Sequence, residues 1–352
     1  MPFAPRSHDL REGYTQSETR RAAQVAAALV GLCLVVLADM VTGPSGMSLP
    51  ELWSALINGP AAEDKTAATI VWHIRLPQTL MGVLVGACLG IAGLQMQTIL
   101  CNPLASPFTL GFSASAGFGA AMAITFGHLL PVPQFFLIPL SAFVMTLLAC
   151  AIIYLIAAMR EATAELLVLA GIAVLFFFQS LQSMVQFLSS PEVLQQIVFW
   201  LFGSLLKSSW TSVTVTAGLF VACLPLVLAD TWKLTALRLG DSNASSMGLN
   251  VRALRLRTFG IVAILTSAAV SFVGTIGFVG LIAPHVARTI VGEDHRFAIP
   301  LSAITGSTIL IGASVIGKLI SPGASIPVGI ITAVAGIPML VAVIAVHGKT
   351  PR

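Results

Sequence analysis

The sequence predicts an all-α polytopic membrane protein of about ten transmembrane helices. Three observations lead there. Of 352 residues, 57% are hydrophobic and only 9% are charged, with a mean hydropathy of +0.95. That is more apolar side chain than a water-soluble core encloses, so a bilayer is the natural solvent. Apolar runs long enough to cross about 30 Å of hydrocarbon recur along the chain. The basic residues gather in alternate breaks between those runs.

In chain order, the runs fall near 22–42, 78–100, 111–130, 133–158, 166–188, 210–229, 255–276, 278–291, 298–319 and 327–346, the eighth being short. The first follows a polar stretch and has no small-x-small cleavage pattern before Asp39, so it reads as a retained helix rather than a cleaved leader. The segments 43–77 and 189–209 are the largest on one side, and Val193, Ile197, Val198 and Leu201 give the second an amphipathic helix along the membrane surface. The domains expected are a tail at 1–21, a transmembrane domain at 22–346 containing a polar loop at 230–254, and a tail at 347–352.

Placing the N-terminus in the cytoplasm puts 14 of the 18 Lys and Arg inside and leaves Lys65, Arg75, Lys207 and Lys318 outside. The positive-inside rule favours that orientation, with both termini cytoplasmic. The inner loop 230–254 carries Lys233, Arg238 and Arg252, with Arg255 and Arg257 just after it, and these five basic residues mark it as a docking place for something cytoplasmic. Inside the spans ionisable residues are scarce. Asp39, Arg288 and Lys318 lie toward span ends and read as side chains that reach the interface.

This pattern excludes several chemistries. A proton-coupled carrier needs charges inside its spans. The chain lacks a phosphate-cradling GxxxxGK[ST] loop: its one GKT, Gly348-Lys349-Thr350, has Val at 343 and no helix after it, so any ATP hydrolysis belongs to a partner and none to this chain. Cys33, Cys88, Cys101, Cys150 and Cys223 form no CxxC pair and read as packing residues, and His285 has no companion ligands, so no metal site is expected. An intramembrane enzyme would need a carboxylate pair or HExxH, which the chain lacks.

The inner loop contains Leu239-Gly240-Asp241-Ser242-Asn243-Ala244-Ser245-Ser246-Met247-Gly248. Its two glycines bracket about two helical turns, with Asp241 or Ser242 suited to the N-cap. Such a helix is either a lever for a moving ATPase or an ordinary amphipathic loop.

Five blocks, in order, carry a family resemblance: Arg75-Leu76-Pro77; Asn102-Pro103-Leu104-Ala105 with Leu110-Gly111; the LGDxxAxxxG loop; Gly277 to His285 with Asp294-His295-Arg296; and Pro327-Val328-Gly329 with Thr332, Gly336 and Pro338. Together they resemble the FecCD-type permeases of binding-protein-dependent ABC importers for iron siderophores, haem and cobalamin. The resemblance implies a type II importer architecture like that of cobalamin permeases, in the inner membrane. It implies a dimer with a second, identical or homologous permease, two cytoplasmic ATPase subunits holding Mg-ATP, and a periplasmic or lipid-anchored binding protein. Ferric siderophore is the leading cargo, with haem or cobalamin as alternatives and no role for nucleic acid.

Site residues follow from the same resemblance. Leu239, Gly240, Asp241, Ser242, Ala244, Met247 and Gly248 match the ATPase-coupling helix, Met247 standing where leucine is usual. Arg75 and Lys318 match positions that offer positive charge to a glutamate on each lobe of the binding protein, while Gln78 replaces a frequent arginine. The other reading of Arg75 and Lys318 is that of interfacial anchors. Asn102 and Leu104 match the cytoplasmic gate, Leu104 as gate and Asn102 as support or as a turn cap. Gln179, Gln182, Ser183 and Gln186 recur at helical spacing and either line the translocation path or join helices by hydrogen bonds, the family favouring the path. Gln95 and Gln97 stand between packing and gate support. The glycine- and proline-rich breaks near 274–284 and 321–329 mark unwound helices, which a membrane tolerates only where protein or water satisfies the freed backbone. The rival class is a secondary carrier or channel working without ATP.

Overall fold

A computed structural model describes residues 7–61, 65–160, 162–321 and 326–347. Among them there is no strand. The helices are α1 (Ser7–Val41), α2 (Leu49–Asn58), α3 (Lys65–Thr69), α4 (Leu76–Ile99), α5 (Phe112–Phe126), α6 (Gln134–Ala158), α7 (Ala164–Leu188), α8 (Pro191–Leu201), α9 (Trp210–Ala229), α10 (Thr231–Leu237), α11 (Asp241–Ser246), α12 (Val251–Val273), α13 (Val279–Val291), α14 (His295–Ile320) and α15 (Val328–His347). A π-helical turn at Ile70–Arg75 leads into α4.

Each of the ten apolar runs is a helix. Seven are long and apolar enough to cross a membrane. The others are α5, α13 and α15, with α13 the shortest at 13 residues. The polar stretch before the first run is also helical from Ser7, continuous with the span. Gly348-Lys349-Thr350 lies outside the described residues.

The bundle is built around α4. Nearly all of its residues are buried, from Pro77 to Ile99, and it packs on α14, α12 and α13. In hydrocarbon, helix association gains little from hiding apolar surface, so close van der Waals approach has to hold helices together. The sequence supplies it as Gly82, Gly86, Gly90 and Gly93 at helical spacing. A Cβ on Gly90 would lie 2.2 Å from the Ser302 carbonyl oxygen, and one on Gly93 would lie 1.7 Å from that of Gly280. The approach lets Ser302 Oγ donate to the Gly90 carbonyl at 2.8 Å and Ser307 Oγ to that of Val83 at 2.7 Å.

The helices outside this centre keep apolar faces exposed, including Leu140 and Leu148 on α6, Phe176, Met184 and Phe187 on α7, and Val221 and Leu228 on α9. Contiguous apolar surface of this kind is covered by lipid or by another subunit.

Three breaks meet at one end of the bundle. The stretch 274–278 between α12 and α13 is not helical, with Gly274 and Phe278 at positive φ. Backbone groups freed at the helix ends beside these breaks find partners across them: Ser204 N donates to the Val273 carbonyl at 2.7 Å, Thr275 Oγ1 to that of Leu201 at 2.5 Å, and Gly329 N to that of Gly203 at 3.3 Å. Protein therefore supplies the satisfaction that a broken helix requires within a membrane.

Candidate functional site

Four places carry the candidate residues. At one end, Arg75, Gln78 and Lys318 arrive from the start of α4 and the last turn of α14 to line a single cavity of about 480 Å³ with Thr42, Gly43 and Leu206. Neither cation presents a free charge there. The Arg75 guanidinium is buried, donating to the Met40 and Val41 carbonyls that end α1 and to Ser45 Oγ at 2.5 Å. It thus caps orphan carbonyls of a helix C-terminus. Gly43 leaves room for it, since a Cβ there would lie 2.8 Å from Arg75 Nη2.

Lys318 Nζ donates to Asp39 Oδ1 at 2.7 Å and to the Asp39 carbonyl at 3.0 Å. Asp39 is fully buried and also accepts from Thr79 Oγ1 at 2.5 Å and Ser314 Oγ at 2.7 Å. Asp39 and Lys318 therefore do not reach for the interface, which corrects the sequence reading. They form a buried ion pair tying α1, α4 and α14, because a charge inside the bundle is tolerable only when paired and hydrogen-bonded. Gln78 is buried, and its Nε2 donates weakly to the Leu206 carbonyl at 3.4 Å.

The opposite end holds a connected polar network around the last turn of α4. The loop 230–254 folds as α10 and α11, with Gly240 and Gly248 at φ of +96° and +83°. These are backbone states that only glycine adopts at little cost. The N-cap is Gly240 rather than Asp241 or Ser242, and the Asp241 carboxylate caps nothing but is engaged elsewhere. Its two oxygens accept from Arg255 Nη1 and Nη2, each at 2.8 Å, the planar fork that makes Arg–carboxylate pairs directional. Arg255 Nε then donates to the Ile99 carbonyl at 2.9 Å, so one guanidinium joins α11 to the end of α4. On α11 only Ala244 is buried; Ser242, Met247 and, just before the helix, Leu239 are exposed.

Two further ties converge on the same turn. Arg288 Nη1 donates to Gln97 Oε1 at 2.6 Å and Nη2 to Thr98 Oγ1 at 3.2 Å, and Arg288 pairs with Glu293, which also pairs with Arg238 at 2.7 Å. Arg288 is thus inserted between α13 and α4, a second correction to the span-end reading. Gln97 Nε2 donates to the Leu281 carbonyl at 3.2 Å, which makes Gln97 a packing and support residue. His295 is buried between Thr98 Oγ1 at 2.9 Å and Thr235 Oγ1 at 3.3 Å. Gln95 is buried, and neither of its amide atoms has a hydrogen-bond partner among the described residues.

Directly after α4, Asn102 Oδ1 accepts from Leu104 N at 2.9 Å, closing an Asx turn that leaves Leu104 exposed. At the start of the chain, Glu18 pairs with Arg296 at 2.9 Å and Arg21 with Asp294 at 3.7 Å, clamping α1 to the α13–α14 turn. Burial opposes the ionisation of Asp294, but hydrogen bonds from Arg296 and the charges of Arg296 and Arg21 outweigh it and hold this carboxyl below its ordinary range.

The α7 residues Gln179, Gln182, Ser183 and Gln186 share one face, beside the face that packs through Val174, Phe178 and Val185. Gln179 and Ser183 are exposed and the other two half-buried. Gln182 lies against α5, with its Oε1 at 2.4 Å from where a Gly117 Cβ would stand. No group of three or more His, Cys, Asp or Glu able to hold a metal occurs among the described residues.

Sequence reasoning missed Arg255, Asp39 and Thr98. The first carried a visible signal, an arginine one turn inside an apolar helix, whereas the pairing of Asp39 with Lys318 spans 279 residues and has no local trace.

The sequence profile of the FecCD transport family matches residues 28–346. The cobalamin import system permease protein BtuC of Halobacterium salinarum is 36% identical over 292 residues, covering 81% of this chain and 77% of that protein. The Fe(3+) dicitrate transport system permease protein FecD of Escherichia coli is 33% identical over 293 residues, covering 83% of this chain and 90% of that one. Among solved structures, a metal-chelate type ABC transporter in an inward-facing conformation superposes with a TM-score of 0.82 at 27% identity, covering 92% of this chain and 99% of that chain.

Proposed function

The chain belongs to the FecCD transport family, the permease subunits of ABC importers, and from that premise we propose that it carries a ferric siderophore inward for a partner ATPase. The observation that carries the coupling is the line from Asp241 through Arg255 to the Ile99 carbonyl. The exposed surface around α11, with Leu239, Met247 and Ser242, is where two cytoplasmic ATPase subunits holding Mg-ATP dock, one on each permease of a dimer. Displacement of α11 then pulls the base of α4 and the segment after it, where Asn102 props Leu104 as the cytoplasmic gate. No bond of the cargo is made or broken in this chain. The permease links two equilibria, which requires that cargo and nucleotide states favour different conformations.

On the other face, a binding protein sets a carboxylate over the cavity of Arg75, Gln78 and Lys318. Because Arg75 and Lys318 are already paired, docking works by competition with the α1 carbonyls and with Asp39, and so acts on how α1 and α14 are held. The half-exposed stripe of Gln179, Gln182, Ser183 and Gln186 lines the path, where amides offer a hydrated chelate weak, exchangeable hydrogen bonds. The basic end of the bundle faces the cytoplasm, and both termini with it.

A ferric cargo is supported by the iron dicitrate permease among the relatives. The test is reconstitution with the cognate ATPase and binding protein, measuring ATP hydrolysis stimulated by ferric siderophores, haem and cobalamin in turn. Stimulation confined to ferric siderophores is the expected result. Stimulation by cobalamin or haem alone would overturn the cargo assignment.

A further inference from the structure

At the end that holds Arg75 and Lys318, a second cavity of about 420 Å³ lies on the other side of Leu206, between α5, α6, α8 and the end of α12. Its walls differ in kind from those of the first. Phe199, Trp200 and Phe272 give it aromatic surface, and Gln134, Gln195, Gln196 and Lys207 give it polar groups. None of those four polar side chains has a hydrogen-bond or ion-pair partner among the described residues, and all four are exposed. Arg75 and Lys318 are committed to internal partners, whereas Lys207 is an uncommitted cation on a concave surface. The acid on this face of α8, Glu192, sits one turn toward the helix N-terminus, outside the cavity lining and hydrogen-bonded to Ser190.

Of the rings, Phe199 is exposed and Trp200 and Phe272 are half-buried; unpartnered donors beside accessible aromatic rings are the usual form of a site that orients a ligand with both a π face and accepting oxygens. A bare metal ion is repelled by Lys207, and a neutral aliphatic chelate gains nothing from the rings. We propose that this cavity is an entry subsite for an anionic ferric chelate bearing aryl groups, which stack on Phe199 and Trp200 while phenolate or carboxylate oxygens accept from Lys207 and the glutamine amides. The assignment rests on the importer reading above and narrows its cargo to the aryl, catecholate-type class.

The test uses the permease–ATPase complex in nanodiscs. Equilibrium dialysis measures the Kd of ferric 2,3-dihydroxybenzoate, of a ferric trihydroxamate and of ferric citrate. The catecholate complex binds at least tenfold more tightly than the trihydroxamate, and K207A weakens it by about tenfold, the loss of one exposed charge-assisted contact. F199A weakens it by roughly three- to tenfold through lost stacking, K207R restores most of the affinity, and K65A leaves it unchanged. Both cavity residues are exposed, and a monodisperse complex with wild-type ATPase activity establishes that the variants fold. Equal affinity for the three chelates, or a K207A complex that binds as wild type does, overturns the subsite. ATP-driven uptake of some chelate alongside either of those results leaves the importer reading standing without it; absence of ATP-driven uptake of every chelate removes the importer reading, which dialysis alone does not touch.

Discussion

Asp241→Asn and Arg255→Ala probe the joint between α11 and α4. The Asp241 side chain is 51% exposed and that of Arg255 only 5%. Asp241→Asn therefore removes the carboxylate charge and one of the two acceptors at a half-solvated site, leaving Arg255 a single amide oxygen there beside its bond to the Ile99 carbonyl. Hydrogen bonds to charged groups contribute about 1.5–3 kcal/mol, and partial solvation puts this case at the low end. Arg255→Ala also strips the Ile99 carbonyl of its side-chain donor and empties a buried position, so it costs more, about 2–4 kcal/mol. A difference of about 1.4 kcal/mol is a factor of ten in an equilibrium or a rate. In proteoliposomes holding permease, ATPase and binding protein, Asp241→Asn is expected to keep ATP hydrolysis within about twofold while the cargo moved per ATP falls roughly tenfold. The double variant should resemble Arg255→Ala, with an interaction energy of about 1 kcal/mol between the positions. Wild-type cargo per ATP in both single variants would refute the joint.

Three further predictions concern the bundle. Gly90→Val drives a side chain into the Ser302 carbonyl and should prevent recovery of folded protein, whereas Gly218→Ala on α9, with nothing within 4 Å of its Cβ, should be neutral or slightly stabilising in a detergent melting assay. Lys318→Met leaves the fully buried Asp39 with hydroxyl partners alone and should cost about 3–5 kcal/mol, most of it recovered when Asp39→Asn is added, read as the melting temperature of the two variants. Asp294 has a folded pKa below its unfolded one, so its contribution is complete above an unfolded pKa of about 3.9 and is lost as pH falls through the lower folded value. The protection of the Arg20 and Arg21 amides, after correction for the pH dependence of intrinsic exchange, should accordingly fall on acidification below about pH 4 in the wild type and be lower at neutral pH in Asp294→Asn than in the wild type.

The helices were legible because apolar length is a local property. All ten runs became helices, and the glycine-bracketed inner helix appeared where Gly240 and Gly248 placed it. The break at 274–278 was legible for the same reason, since glycine and proline act on their own backbone, as was the end of α14 at Ile320; of the break expected at 321–329, residues 322–325 lie outside the described residues. Charge partners were not. Asp39, Arg288 and Lys318 looked like interfacial side chains because their sequence neighbours are apolar on one side and polar on the other. The structure buries each against a residue distant in the chain, Lys318 on Asp39 and Arg288 on Gln97. Arg75 was read as an outward charge, and only the fold brings the carbonyl end of α1 to it. Lys207 had no motif to mark it, because its interest lies in the rings and amides that α6, α8 and α12 place around it.

The most direct measurement of the central claim is uptake of a radiolabelled ferric siderophore into proteoliposomes containing the permease, with and without the ATPase subunits and Mg-ATP. An ATP-driven importer requires that accumulation occur only when permease, binding protein, ATPase and Mg-ATP are all present. Accumulation by the permease alone, at a rate unaffected by ATPase or nucleotide, would contradict it.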